Sequence, residues 1–302
     1  MSQVAGNGMQ WPALPWEEWA DTANTLHMWT QIVGKTRLAL TPLQNHWWNV
    51  PLYVTARGLG TSAMACGDDV LDVEFDFVAH VLHLRLGSGR DHVLPLRAQT
   101  VAEFYGEYMD CLKELGVSVE IWPMPVEVAN PVRFDLDTKH RSYDPEYAHR
   151  FWRVLVGAEK VFRAFGTGFL GKVSPVHFFW GSFDLAVTRF SGRVAPPREG
   201  ADLIQREAYS HEVISAGFWP GNGGYGAAAF YCYAAPVPEG LSEKMVRPAG
   251  AGWDKALGEF MFKYEAMRTL DDPAGALKEF VESAYAAAAD SAKWDRAALE
   301  RR

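Results

Sequence analysis

The stretch of residues 177–193 constrains the fold most, because it combines strand-forming aromatic side chains with groups that carry charge. Alternate side chains of a pleated strand share a face, so His177 and Arg189 would project together, opposite Trp180 and Asp184. Glycine inside a strand often marks a bulge. We therefore expect a single strand over 177–193 with a bulge at its Gly-Ser pair, residues 181–182.

Helix and strand signals occur in the same order in the two halves of the chain. The first half has a helix before Pro42, strict alternation over 71–78 that predicts a half-exposed antiparallel strand, a glycine hairpin at 87–90, and a helix from Thr100 to Gly116. In the second half a helix opens at Asp144. Extended runs follow at 177–193, 208–219, 227–234 and 258–268, and a last helix opens at Asp272.

A short motif strengthens the comparison of the halves. His46-Trp-Trp precedes Arg57 by eleven positions, and His177-Phe-Phe precedes Arg189 by twelve. The sequence thus predicts an α+β fold of two duplicated α-β4-α units, whose antiparallel sheets join about a pseudo-twofold axis with helices packed on one face. The units would be residues 1–120, with an N-terminal arm, and 144–302, joined by a connector at 121–143 and packed as one domain.

Charge and composition bear on the partners that are expected. The net charge is −8, the pI is about 5.6 and no tract of basic residues occurs, which argues against nucleic acid. No uncharged stretch is long enough for a membrane helix and no leader pattern is seen, so we expect no membrane partner and a cytoplasmic location. The three cysteines are too scattered for a disulfide framework or a thiolate metal site. The 12 Trp, 17 Phe and 11 Tyr could line a ligand pocket.

Several blocks of the sequence resemble one bacterial family, catalogued as domain of unknown function 5996. The blocks are Leu26-His27-x-Trp29, Gly34-Lys35-x-Arg37, Asn45-His46-Trp-Trp, residues 177–193, Ser210-His211-Glu212, Phe218-Trp219-Pro and Tyr264-Glu265-x-x-Arg268. The resemblance covers almost the whole chain. It implies a bacterial protein that forms one family domain, and it implies no activity, cofactor or catalytic residue.

Polar residues of the second half suggest a small acid/base site among aromatic side chains. Imidazole and carboxylate groups can move protons, and guanidinium groups hold anions. The candidate catalytic residues are His177, Asp184, His211 and Glu212. The candidate ligand-binding residues are Trp180, Arg189, Arg193, Trp219, Tyr264 and Glu265. We expect His177, Arg189 and His211 to converge at one cavity.

Other interpretations of these residues stay open. His177 could be a core histidine, and the arginines could pair with Asp184 and Glu265 to brace a buried sheet. No metal is predicted; a metal, if present, would use His177, His211 and Glu212. In the first half, an anion pocket could form, or the residues could be a relic of duplication with Lys35 and Arg37 on a solvated helix face. The residues of that pocket would be His27, Trp29, Lys35, Arg37, His46 and Arg57. Two glycine-rich stretches, 166–172 and 221–226, lack the strand-to-helix context of phosphate-binding loops.

The favoured function is an enzyme that acts on a small anionic or aromatic metabolite by acid/base chemistry in an aromatic-lined groove. A small-molecule ligand is the expected partner, and the sequence specifies neither a cofactor nor an oligomeric state. One alternative is a binding protein that holds the same ligand without chemistry. Another is a structural module that binds a protein partner.

Overall fold

The computed structural model describes residues 11–301, which form two antiparallel sheets and seven helices within that range. The helices are α1 (Trp16–Leu40), α2 (Val101–Glu114), α3 (Pro145–Thr167), α4 (Leu203–Ala208), α5 (Tyr264–Arg268), α6 (Pro273–Ser291) and α7 (Arg296–Leu299). The predicted caps at Thr100, Asp144 and Asp272 are confirmed, each side chain accepting a hydrogen bond from the first turn of its helix. The combination of helices and antiparallel sheets confirms the α+β class.

The first sheet has the strand order β1-β2-β4-β5-β6, with β3 paired to β4. Its strands are β1 (Tyr53–Val54), β2 (Gly58–Gly60), β3 (Met64–Cys66), β4 (Asp69–Asp76), β5 (Val81–Leu86) and β6 (Asp91–Pro95). The alternation over 71–78 lies on β4, where Leu71, Val73 and Phe75 are buried and the intervening residues are partly exposed. The predicted hairpin connects β5 to β6.

The second sheet has the order β11-β12-β10-β9-β8-β7. Its strands are β7 (His177–Phe179), β8 (Asp184–Val194), β9 (His211–Trp219), β10 (Ala229–Ala235), β11 (Gly252–Asp254) and β12 (Glu259–Lys263). The two sheets meet where Leu52 and Phe178 exchange backbone N–H···O hydrogen bonds, both 2.9 Å long. Helices α3 and α6 pack on one face of the second sheet. We call the opposite face, which carries Ala186, Tyr231 and Met261, the outer face.

The single strand expected over 177–193 is wrong. The chain turns between β7 and β8, with Phe183 at φ +62° and its N–H bonded to the carbonyl of Phe179. Since His177 now pairs with Ala186, it lies on the outer face, whereas Arg189 points to the helices. The irregularity in β8 falls between Phe190 and Val194, and Gly181 instead gives room to Glu127, which a Cβ there would strike.

Other expectations also change. Each sheet has six strands instead of about four, and the run 258–268 divides into β12 and the helix α5. The motif correspondence is wrong, because Arg57 lies in the turn before β2 and Arg189 lies inside β8. The duplication of the two units and their proposed boundaries stay predictions. Within residues 11–301, no helix has the length and apolar character needed to span a membrane.

Candidate functional site

Helix α1 is buried over most of its surface, including its polar side chains. The His27 ring lies 2.8 Å from the carbonyl of Gly181, and the Gln31 amide exchanges hydrogen bonds with the backbone of Val126. Burial lowers the pKa of His27 to about 4. These two residues therefore fix the connector and the β7–β8 turn against α1, which is a structural role.

Arg37, near the C-terminal end of α1, is buried with only 8% exposure. It has a hydrogen-bonding contact with Tyr53, whose ring centroid is 5.5 Å from Cζ. Its Nε and Nη1 atoms have no hydrogen-bond partner within residues 11–301. Burial lowers the Arg37 pKa, yet a guanidinium stays charged at neutral pH. The fold thus holds a buried cation whose donors are only partly satisfied.

His177 opens β7 and is 1% exposed. Neither ring nitrogen has a hydrogen-bond partner in the described part of the chain. The rings of Trp48 and Tyr53 meet the imidazole edge to face, with centroids 5.8 and 5.6 Å away. Burial, helped by the charge of Arg37, lowers the His177 pKa to about 3. The imidazole is therefore neutral and offers one N–H and one lone pair without a partner.

A short turn places Trp48 against His177 and His46 against Trp48. His46 and Trp47 both adopt left-handed backbone angles, with φ of +59° and +61°, which are uncommon outside glycine. The ammonium of Lys172 donates to His46 Nε2 at 2.7 Å, so Nδ1 carries the proton and donates to the carbonyl of Glu207 at 3.1 Å. Lys172 Nζ also lies 5.0 Å from the Trp48 ring centroid. Through His46 and Trp48, this turn therefore links the buried His177 to the exposed Lys172.

We call Arg37, His46, Trp48, Tyr53, Lys172 and His177 the basic site. Its members form a continuous series of contacts, and its carboxylate neighbour, Glu207, accepts from the backbone N–H of His46 at 3.2 Å. Arg37 and Lys172 join no ion pair within residues 11–301, whereas most other arginines of the described chain do. Two unpaired cations beside aromatic rings are the groups that recognise an anion with a flat apolar part.

Arg189 does not belong to this site, so the predicted convergence of His177, Arg189 and His211 at one cavity is wrong. Its guanidinium lies 3.4 Å from the Phe165 ring centroid and 4.2 Å from that of Tyr285, on the helical side of the second sheet. It donates to the carbonyl of Phe165 and approaches Glu282 at 3.7 Å. Arg189 therefore braces β8 against α3 and α6. His211 does approach the basic site, 5.8 Å from the His46 ring.

The remaining catalytic candidates lie apart from each other. Asp184 accepts hydrogen bonds from Ser182, at 2.7 Å, and from Tyr231, and burial raises its pKa. Glu212 pairs with Arg193 at 2.6 Å. Arg193 also donates to the carbonyl of Ala292 at 2.7 Å, which caps the C-terminal end of α6. The conditional metal set is not assembled, since residues 11–301 hold no group of three His, Cys, Asp or Glu side chains able to bind a metal.

The other predicted ligand-binding residues are held by local contacts. Trp180 donates to the carbonyl of Val50 at 2.9 Å, Trp219 donates to the Asn222 side chain, and Tyr264 donates to the carbonyl of Pro12 at 2.7 Å. Glu265 forms a surface pair with Arg268. These contacts place none of the four in the basic site.

The six residues considered for a first-half pocket are not brought together. Arg37 and His46 join the basic site, but Trp29 stacks on Phe104 in the core and Arg57 pairs with Asp76. Lys35 is buried between Trp122 and Trp180, and burial lowers its pKa to about 8, so the expected solvated helix face is wrong.

Sequence reasoning missed Trp48, Tyr53 and Lys172 as site residues. Lys172 ends the glycine-rich stretch 166–172, whose sequence resembles only a phosphate-binding loop.

Comparison with known proteins gives one match. The model of a family described as "Family of unknown function (DUF5996)" matches residues 11–301, which is nearly the whole chain. Neither the curated proteins nor the solved structures give a match.

Proposed function

We propose a function for this chain, which belongs to the family of unknown function named above. From the geometry, the protein binds a small organic anion with a flat apolar part at the basic site. The anion is a carboxylate or a phosphate, which share the acceptor oxygens that the site requires. Binding without assigned chemistry is thus preferred to acid/base catalysis.

The observation that carries the proposal is that Arg37 and His177 both lie against the Tyr53 ring. Both are buried, the charge of Arg37 acts on His177, and both have unsatisfied nitrogens within residues 11–301. A buried unpaired charge is strongly unfavourable, and an unsatisfied buried donor costs about 1 to 3 kcal/mol. An anion that accepted from both groups would remove these costs. Loss of stability at residues that a ligand would satisfy is common at functional sites.

The surroundings define the rest of the ligand. Trp48 and Tyr53 are partly exposed, and both rings are inclined steeply to the imidazole of His177. A flat apolar group can pack against these rings. The exposed Lys172 lies at the outer end of the site, where its charge can attract an anion to the buried donors.

Acid/base catalysis by the predicted residues has less support. Because its pKa is lowered to about 3, His177 is a weak base and is almost entirely unprotonated at neutral pH. Asp184 is engaged by Tyr231, and Glu212 by Arg193, so neither carboxylate orients the imidazole.

Calorimetric titration at low ionic strength tests the proposal with three probes: benzoate, inorganic phosphate and the neutral benzyl alcohol. We expect benzoate to bind the wild-type protein with one site per chain and benzyl alcohol to bind much more weakly. Arg37→Met should lower the benzoate affinity at least about tenfold, because a charge-assisted hydrogen bond contributes about 1.5 to 3 kcal/mol. Lys172→Met should lower the benzoate affinity less than Arg37→Met does, because Lys172 is exposed and its charge is screened.

Arg97→Met is the matched control. Arg97 is an exposed arginine paired with Glu107, so its replacement removes the same charge at another place on the surface. It should leave benzoate affinity unchanged. If phosphate alone binds, the anion is recognised without the aromatic walls, and the ligand class is wrong. If neither anion binds, or if Arg37→Met binds benzoate like the wild type, the proposal fails.

A further inference from the structure

A pocket of about 420 Å³, separate from the basic site, lies on the outer face beside β10 and β12. One wall is the segment that leaves β8 and crosses back to β9, and the floor is the end of β10. Its main lining residues are Pro196, Arg198, Tyr209, Tyr233, Leu257 and Glu259. None of them belongs to the basic site.

Two tyrosines form the aromatic part of this pocket. Tyr233 projects from β10 on the outer face, and its hydroxyl lies 3.1 Å from the hydroxyl of Tyr209. The ring centroids are 6.4 Å apart with planes inclined at 55°. Two rings inclined in this way form a corner, and the faces of aromatic rings attract cations.

The carboxyl group of Glu259 lines the same pocket and is held in a negative environment. Burial, with further contributions from the charges of Asp184 and Asp254, raises its pKa to about 7. No ion pair engages Glu259 within residues 11–301. A cation in the pocket would therefore relieve repulsion as well as gain a hydrogen-bond acceptor.

A cation of the chain itself already lies at this corner. The guanidinium carbon of Arg198 is 4.9 Å from the ring centroid of Tyr209. Arg198 lies on the exposed connection between β8 and α4, so its side chain can move without disturbing a sheet.

We propose that this pocket is a binding site for a small organic cation, a guanidinium or a protonated amine on a short apolar chain. Glu259 accepts the N–H groups, Tyr209 and Tyr233 pack against the charged group, and Pro196 and Leu257 contact the apolar chain. Arg198 occupies part of the site in the free protein and competes with the ligand for Tyr209.

NMR titration of the full chain with methylguanidinium and with butylammonium tests the site, and neutral butanol serves as the ligand control. We expect both cations to shift the signals of the pocket residues and butanol to shift them little. Glu259→Gln should weaken cation binding at least about tenfold. Glu239→Gln is the matched control and should have no effect, because Glu239 lines a separate pocket together with Glu212 and Trp294.

The decisive variant is Arg198→Ala, which removes a competitor and should strengthen the binding of both cations severalfold. Tyr209→Leu should weaken it and provides a second measurement if Glu259→Gln does not fold. If Arg198→Ala weakens cation binding, or if neither cation binds to Arg198→Ala, the assignment is wrong. Binding of benzoate to this pocket in the wild type, lost in Arg198→Ala, would show that it recognises anions instead. Cation binding should persist in Arg37→Met, so this test does not depend on the basic site.

Discussion

Replacement of Arg189 should separate a bracing arginine from a ligand-binding one. The side chain fills the space between Phe165 and Tyr285 and donates to the carbonyl of Phe165. In Arg189→Ala this space becomes a cavity and the stacking contacts are lost. Truncation of a large buried side chain costs about 2 to 5 kcal/mol. Part of that cost is offset, because the substitution also removes a desolvated charge.

Glu282 decides how large the net effect is. Its side chain is 42% exposed, so it stays hydrated when Arg189 is removed and adds little to the cost. We therefore expect Arg189→Ala to lose about 2 to 4 kcal/mol of unfolding free energy. Arg189→Met keeps most of the apolar volume and should lose less than about 1.5 kcal/mol.

Thermal unfolding without added anions measures these differences. The unfolding entropy grows with chain length, so in a chain of this size each kcal/mol lowers Tm by about 1.5 to 2 °C, and Arg189→Ala should melt roughly 3 to 8 °C below the wild type. Arg37→Met should melt at or above the wild-type temperature, because it removes a buried charge that has no ion pair within residues 11–301. The reasoning is refuted if Arg189→Ala melts like the wild type, or if Arg37→Met is as destabilised as Arg189→Ala.

Two further predictions concern pH and close packing. Burial lowers the pKa values of His177 and His27 to about 3 and about 4, so both are neutral in the folded chain, and the unfolded chain binds more protons below the ordinary value of 6.5. The unfolding free energy should therefore fall as the pH falls from 6.5 towards 4, by about 1.4 kcal/mol per pH unit for each histidine, and urea unfolding of His177→Phe should show a shallower pH dependence. A saturating anion at the basic site should also reduce this acid sensitivity, and its failure to do so would count against the proposed ligand. Gly217→Ala should cost about 1 to 3 kcal/mol, because its Cβ would strike the Tyr231 ring and the backbone of Leu185; a wild-type melting temperature would contradict this packing.

Local signals predicted the elements whose causes lie within a few residues. The alternation on β4, the hairpin between β5 and β6 and the helix caps at Thr100, Asp144 and Asp272 depend on side-chain period and turn chemistry alone. The reversal after Phe179 could not be read in this way. It depends on distant contacts, from His27 to the carbonyl of Gly181 and from Trp180 to the carbonyl of Val50.

The candidate site was only partly predictable for a related reason. The residue types of His177, His46 and Arg37 made them candidates from the sequence. That Arg37 has no ion pair within residues 11–301 depends on the folded environment and cannot be predicted from residue type. A helix with Lys35 and Arg37 near its end would ordinarily expose them. Here α1 is covered by both halves of the chain, so the same residues become buried.

The meeting of the two sheets at Leu52 and Phe178 divides the basic site between the halves of the chain. Arg37, His46, Trp48 and Tyr53 come from the first half, and Lys172 and His177 come from the second. Two polypeptides separated within the connector would each carry an incomplete set of donors. If the two polypeptides were co-expressed, anion binding would require their reassembly. The ligand would then stabilise the reassembled pair, and anion binding would report that the halves had associated.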